Sequence, residues 1–170
     1  MGGQAFNQLA ANGKGAITTP RLSPETYMRL KQAVIGILSD HFGECVCPCE
    51  APCKVDHGDI DVLVGEDGLK HSISQVALWL GAEHKIDRGD SYSFAMPYTA
   101  KDGTAAHAQV DVHPCGDNLH WLAFMQSYGD IWQTLGVSIR GLGFTATDKG
   151  FYVRLPQLEK KDWKASMIFL

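Results

Sequence analysis

Residues 55–64 read Val-Asp-His-Gly-Asp-Ile-Asp-Val-Leu-Val, and this stretch decides the fold. Its second half is rich in β-branched and apolar residues, which is typical of a core strand. Successive side chains on a strand point to opposite faces, so His57, Asp59 and Asp61 are predicted to share one face. Two carboxylates about 4 Å apart repel each other by roughly 4 kcal/mol at the effective dielectric of a protein site. A bound cation or a raised pKa on one acid usually relieves that repulsion.

A second acidic strand is predicted over residues 106–113. Its alternation puts Gln109, Asp111 and His113 on one face and two valines on the other. If this strand lies beside the first, Asp111 completes a cluster with the Asp-x-Asp pair. Three carboxylates form a hard-oxygen site that suits Mg²⁺ or Mn²⁺. The simpler alternative is that each aspartate caps a turn or ends a strand, but two acidic strands together favour the metal site.

Composition limits the class of protein. At 170 residues the chain is most simply one domain, and a hydrophobic fraction of 45% excludes disorder as its main state. A formal net charge of −4 is not the electrostatic footprint of a dedicated nucleic-acid binder. No apolar run approaches the ~20 residues of a membrane span, and the N-terminal residues hold no apolar signal-peptide core. We therefore expect a cytoplasmic protein with no membrane partner.

A glycine pair, Gly2-Gly3, stands near the start of the sequence. Apolar residues at helical spacing follow it, which predicts a short helix that ends at Asn12-Gly13. Free N–H groups at a helix N-terminus bind anions such as phosphate, and glycine lets the ligand approach closely. The pair is therefore a candidate phosphate contact, and an ordinary frayed terminus is the simpler alternative.

The remaining pattern predicts an α+β fold, a mixed β-sheet with helices. Helices are predicted over 23–40, 72–80, 119–127 and 130–140, and strands over 83–88, 92–98, 144–146 and 151–155. The strand over 92–98 is expected to form a hairpin with the Asp111 strand, because Lys101-Asp102-Gly103 is a turn signal. The core is expected over about 1–115, with an α/β extension over about 116–170 in the same domain.

Four cysteines lie close together: Cys45, Cys47, Cys49 and Cys53. Zinc and iron–sulfur sites usually contain C-x₂-C pairs, which let both sulfurs reach one metal, and that spacing is not found here. On a strand the first three would point the same way as a small buried hydrophobic row. This spacing predicts that the protein carries no stoichiometric zinc or iron. A cysteine-based metal or redox module centred on 45–53 stays an alternative.

Three features together resemble the nucleotidyltransferase superfamily, whose palm-like fold is shared with DNA polymerase β. They are Gly2-Gly3 at a helix start, Asp59-Ile60-Asp61 on a strand, and Asp111 on a later strand. The sequences His-Gly-Asp-Ile-Asp and Gln-Val-Asp-Val-His are also similar to an uncharacterised nucleotidyltransferase-like subgroup. The separation of the glycines from the acid pair is longer than in most of the superfamily, so the helix over 23–40 and the cysteine stretch are expected to be an insertion.

The resemblance implies a metal-dependent enzyme that moves an NMP from an NTP to a hydroxyl acceptor. Asp59, Asp61 and Asp111 would be catalytic and would hold two Mg²⁺ or Mn²⁺ ions. Gly2, Gly3 and Gln4 would contact the nucleotide, for which ATP is the expected NTP; the acceptor, whether RNA, protein or small molecule, stays open. His57, Gln109 and His113 would support the acids or contact substrate.

A catalytically silent relative that only binds a nucleotide is the second alternative. The three intact aspartates argue against it. A replacement of Gly3 by valine is expected to weaken nucleotide affinity without unfolding the protein.

Overall fold

The computed structural model describes residues 3–6, 17–65, 70–129, 131–162 and 166–170. Over these residues the chain is α+β, with a five-stranded mixed sheet, a three-stranded antiparallel sheet and five α-helices. The predicted fold class, a mixed sheet with helices, is confirmed at this level. In the described part of the chain, no helix is long and apolar enough to cross a membrane.

The elements follow one another in this order. The helices are α1 Pro24–Phe42, α2 Ile73–Trp79, α3 Leu119–Gln126, α4 Ile131–Arg140 and α5 Pro156–Glu159. The strands are β1 Cys45–Val46, β2 Asp59–Val64, β3 His84–Asp87, β4 Tyr92–Thr99, β5 Ala105–Pro114, β6 Phe144–Thr147, β7 Gly150–Arg154 and β8 Met167–Phe169. The strand β8 and the short helix α5 were not predicted, and the strand over 55–64 begins only at Asp59.

The helix α1 forms where local signals predict it. Ser23 accepts a hydrogen bond from the N–H of Thr26, and Pro24 occupies the first turn, where its missing N–H costs nothing. The apolar side chains recur every three or four residues and are buried on one face: Tyr27, Leu30, Val34, Leu38 and Phe42. The helix ends at Gly43, whose φ of +71° favours glycine and whose N–H donates to the carbonyl oxygen of Ser39. This buried face holds α1 against the sheet.

The five-stranded sheet has the order β1-β2-β5-β4-β3. The strands β2 and β5 are parallel neighbours, and β4 pairs with β5 as the predicted antiparallel hairpin. One face of the sheet packs under α1 and α2 through fully buried side chains: Ile60, Val62, Val64, Phe94, Val110 and Val112. Each such burial stabilises the fold by about 1.5–3 kcal/mol. A slip of one residue would turn the acids into this core, so the packing fixes the register.

The other face of the sheet carries the acids and is covered by two smaller apolar clusters. Phe6 and Ile17 pack on Ala95, which is the register partner of Gln109. Leu63, which follows Asp61 on the same face, packs against α3. The acids therefore lie on this face between a segment from the N-terminal region and a helix from the C-terminal region.

Candidate metal centre

The three predicted aspartates converge on one face of the sheet. Asp61 lies opposite Asp111 on the parallel pair β2 and β5, and Asp59 lies opposite Gln109. One carboxylate oxygen from each of Asp59, Asp61 and Asp111 lies within 4.8 Å of the others. These oxygens are close enough to share one cation, and oxygen is the ligand that Mg²⁺ and Mn²⁺ prefer. The convergence is confirmed, and metal binding itself stays a prediction.

The Asp59 carboxylate is held by the backbone of the N-terminal segment. Its Oδ2 accepts a hydrogen bond from the N–H of Gly3 at 2.9 Å. Burial and the neighbouring charges of Asp61 and Asp111 raise the pKa of Asp59 to about 6, although the Gly3 N–H offsets part of the rise. A carboxyl group with a pKa near 6 binds a proton readily, because its charge is poorly compensated by its protein neighbours.

The Asp111 carboxylate lies deepest of the three. Its Oδ2 accepts a hydrogen bond from Nε2 of Gln109 at 2.8 Å, whereas its Oδ1 is buried and has no hydrogen-bond partner among the residues that the structure describes. Burial raises the pKa of Asp111, and nearby Ser93 and Gln109 offset part of the rise. Ser93 is the register partner of Asp111 on β4, but its hydroxyl does not reach hydrogen-bond geometry. A bare buried carboxylate oxygen costs about 1–3 kcal/mol, so Oδ1 fits a cation.

Asp61 is the open side of the cluster. Its side chain is 44% exposed, and its Oδ1 lies 3.3 Å from Nε2 of His113. Burial lowers the pKa of His113, but the hydrogen bond with Asp61 and the charges of Asp61 and Asp111 outweigh burial and raise that pKa overall. The raised pKa favours the protonated form of His113 beside Asp61, and His113 lies on the strand face where alternation predicts it.

The glycine segment, residues 3–6, does not present the free Gly3 N–H group that was predicted as a phosphate contact. Gly3 has a φ of +82°, and a Cβ added there would lie 2.1 Å from the carbonyl oxygen of Gly58. Its N–H is bound to Asp59 rather than free, and its carbonyl accepts a hydrogen bond from Thr19 Oγ1 at 2.8 Å. The expectation that valine at Gly3 spares the fold is therefore wrong, because any side chain collides with the backbone of Gly58.

The predicted N-terminal helix falls largely outside the described residues. Gly2 and residues 7–16 are not described, and Ala5 and Phe6 form a turn. Gln4 is exposed on this turn. Contact of Gly2, Gly3 and Gln4 with a nucleotide stays a prediction.

His57 does not join the acids as strand alternation predicts. The strand β2 begins two residues later, and His57 forms an isolated backbone bridge with Leu22. Its buried ring stacks on Tyr27 with centroids 3.7 Å apart, and Nδ1 lies 3.5 Å from Oε2 of Glu50. Burial lowers the pKa of His57. The ring packs with Tyr27 and Glu50, so its predicted place beside the acids is wrong.

The cysteines form only part of the expected buried row. Cys45 and Cys47 pack against the main core, whereas Cys49 and Cys53 are exposed, so the expectation for Cys49 is wrong. Burial raises the pKa of Cys47 to about 11 and raises that of Cys45 as well. Thiols with raised pKa values stay protonated at neutral pH, which disfavours metal binding and redox chemistry. Over the described ranges, three convergent His, Cys, Asp or Glu ligands occur only in the aspartate cluster.

Three neighbours of the cluster could not be assigned from sequence. Gly58 lets Gly3 approach, Ser93 faces Asp111, and Thr19 holds the Gly3 carbonyl. Only Gly58 gives a sequence signal, since it directly precedes the Asp-x-Asp pair. The other two come close through strand pairing and loop placement over long separations in the chain.

Comparison with known proteins leaves the family open. No protein-family model matches the chain, and no curated protein is significantly similar to it. The geometry of the aspartate cluster is therefore the basis for a functional assignment.

Proposed function

We propose that the chain is a metal-dependent nucleotidyltransferase that moves an NMP from an NTP to a hydroxyl acceptor. ATP is the first donor to test, and RNA, protein and small molecules are the acceptor classes. One observation carries the proposal: the carboxylates of Asp59, Asp61 and Asp111 converge within 4.8 Å on two adjacent parallel strands. The mixed α+β fold is compatible with a palm-like core, which we include in the proposal.

The residues present fit a divalent cation. All three convergent groups are carboxylates, the buried Oδ1 of Asp111 has no partner, and Asp61 is partly open to solvent. Burial, with mutual repulsion, raises the pKa of both Asp59 and Asp111, so the protein compensates their charge only in part. Bound Mg²⁺ or Mn²⁺ would hold phosphate oxygens and neutralise the charge that develops on them during transfer.

The proposed transfer exchanges a phosphoanhydride bond of the NTP for a phosphoester bond to the acceptor. The acceptor oxygen bonds to the α-phosphorus, the bond from that phosphorus to the bridging oxygen breaks, and pyrophosphate leaves. The acceptor proton passes to a base, and Asp111 is our candidate because burial raises its pKa. Gln109 holds the Oδ2 of Asp111 by its hydrogen bond, whereas the buried Oδ1 has no hydrogen-bond partner among the described residues.

A catalytically silent nucleotide-binding protein is the second candidate. The hydrogen bond from Gly3 to Asp59 favours it, because the bond engages Oδ2 of Asp59, an oxygen that a catalytic metal would otherwise use. For transfer, the glycine segment must either release Asp59 or contact phosphate through its other groups. The two candidates differ in whether pyrophosphate is released.

The test is incubation with Mg²⁺ or Mn²⁺ and each α-labelled NTP, with and without total RNA and total protein. Transfer of label with release of pyrophosphate is expected for the wild type and not for Asp61→Asn. The exposed Asp148→Asn is the matched control, and it should retain transfer. Nucleotide binding without pyrophosphate release would favour the silent candidate. A wild type that binds neither metal nor nucleotide would exclude both.

A further inference from the structure

We propose that Gln109 is a positioning residue that couples the glycine segment to the metal ligand Asp111. This role rests on the proposed function, since it concerns the same aspartate cluster. Gln109 is 2% exposed and lies on β5, two residues before Asp111 and on the same strand face. It touches a predicted metal ligand at one end of its amide and the glycine segment at the other.

Both ends of the Gln109 amide are used. Its Nε2 donates to Oδ2 of Asp111 at 2.8 Å, and its Oε1 accepts from the N–H of Ala5 at 2.9 Å. The orientation of the amide follows from its partners, because an ionised carboxylate only accepts and a backbone N–H only donates. Turning the amide over would break both bonds and leave buried polar groups without partners, at about 1–3 kcal/mol each. The side chain is therefore held in one orientation.

This orientation fixes how the Asp111 carboxylate is held. The donor from Gln109 takes Oδ2, and within the described part of the chain the buried Oδ1 has no partner. Gln109 thus fixes the direction of Asp111 as a ligand, the role that outer hydrogen-bond partners of metal ligands usually have.

The second end of the amide extends this role to the glycine segment. Gly3 is tied to Asp59 and Ala5 to Gln109, so the segment contacts both acidic strands. Phe6, which is fully buried, packs on Ala95, the register partner of Gln109. A change in the orientation of the Asp111 carboxylate should therefore move the backbone at Ala5, and movement of Ala5 should reorient Asp111. Cation binding and the position of the glycine segment are coupled through one side chain.

The first test is Mn²⁺ affinity, measured by the electron paramagnetic resonance of free Mn²⁺ well below the melting temperature. Gln109→Met keeps the length of the side chain and removes both hydrogen bonds. We expect a loss of Mn²⁺ affinity of about 10–100-fold, the usual cost of removing such a partner. Gln133→Met on the exposed side of α4 is the matched control and should bind as the wild type does. A purely structural role would lower the melting temperature and leave the affinity of the folded protein unchanged.

The second test needs no folded variant of Gln109. In ¹⁵N-labelled wild-type protein, Mg²⁺ should shift the side-chain amide of Gln109 and the backbone amide of Ala5 along the same saturation curve. Gln133 should not move. An unmoved Ala5 amide at saturating Mg²⁺, or equal Mn²⁺ affinity of Gln109→Met and wild type, would overturn the coupling alone. A wild type that binds no Mn²⁺ would remove the proposed function, whereas coupled binding without transfer would leave the role of Gln109 in place.

Discussion

The backbone N–H of Gly3 donates a hydrogen bond to Oδ2 of Asp59 across 56 positions of sequence, at 2.9 Å. The contact is possible because Gly3 lies against the backbone of Gly58, where neither residue has a side chain. The glycine segment therefore forms one wall of the aspartate cluster. The close approach to Gly58 already requires glycine at position 3, independently of any contact with a nucleotide.

Replacing Gly3 by alanine should destabilise the fold. The new Cβ would lie 2.1 Å from the Gly58 carbonyl oxygen, and the φ of +82° is unfavourable for any side chain. We expect a loss of about 2 kcal/mol or more in the free energy of unfolding, measured by urea denaturation in chelator. Gly36→Ala is the matched control, since its Cβ meets nothing within 4 Å and it lies inside α1. That variant should gain up to about 1 kcal/mol. Equal stability of Gly3→Ala and wild type would refute the close approach.

Removing one acid should not weaken the metal-free fold. In Asp61→Asn and Asp111→Asn one negative charge leaves a mutually repelling cluster, and the amide oxygen at 111 can still accept from Gln109. In chelator we expect melting temperatures equal to or above the wild type. Mg²⁺ with NTP should raise the wild-type melting temperature much more than that of either variant, because ligands that bind only the folded state stabilise it.

The control for these melts is Asp148→Asn, which changes the same charge at an exposed turn. It should show the full gain with Mg²⁺ and NTP. If both cluster variants melt well below the wild type in chelator, the acids are structural caps, and the catalytic proposal loses its main support.

Asp59 should give the protein a distinct pH dependence. Folding raises its pKa from 3.8 to about 6, so the folded state binds the proton more tightly than the unfolded chain does. The contribution of Asp59 to the free energy of unfolding is therefore fully present below about pH 4 and is lost as the pH rises to about 6. In chelator, the wild type should lose about 1–2 kcal/mol relative to Asp59→Asn over this window, after allowance for partial exposure.

Cation affinity should have the opposite pH dependence. A cation binds the ionised carboxylate, so Mn²⁺ affinity should rise as the pH increases through about 6 and level off above it. Urea denaturation and Mn²⁺ titration between pH 4 and 8 measure the two effects. A stability difference between wild type and Asp59→Asn that does not change with pH would show that folding leaves this pKa unperturbed.

The five free cysteines should separate into two reactivity groups. The exposed Cys49 and Cys53 should react quickly with a thiol reagent, and the partly buried Cys45, Cys47 and Cys115 slowly. Burial raises the pKa of Cys47 and of Cys115 to about 11, which lowers their thiolate fraction further. Replacing Cys49 and Cys53 by serine should remove the fast phase.

The metal content of the purified wild-type protein tests the cysteine-based alternative. Elemental analysis is expected to find no stoichiometric zinc or iron. One equivalent of metal that disappears in Cys47→Ser would make the cysteine module the leading candidate instead.

Local sequence patterns predicted most of the helices and strands and the faces of the acidic strands. Alternation put the acids of β2 and β5 on polar faces and the valines in the core, and the structure buries those valines under α1 and α2. The helices predicted over 23–40 and 72–80 form as α1 and α2, and in the structure Ser23 and Ser72 cap their starts. These signals are local, because side-chain direction and capping depend on residues a few positions apart.

The alternation of side chains gave wrong directions for residues that lie beyond the end of the observed strand. His57 precedes β2 and stacks on Tyr27, and Cys49 lies beyond the two residues of β1 and is exposed. Strand length depends on pairing with a neighbour, which the pattern of one segment does not contain.

The assembly of the site depends on contacts between distant segments, which no local pattern contains. The pairing of Asp61 with Asp111, the approach of Gly3 to Gly58 and the two bonds of Gln109 join residues far apart in sequence. Each depends on strand order and register, which are set by burial of the opposite face rather than by the residues of the site. The acids and their direction were therefore readable from the sequence, whereas the distances that make them one cluster arise from packing of the whole sheet.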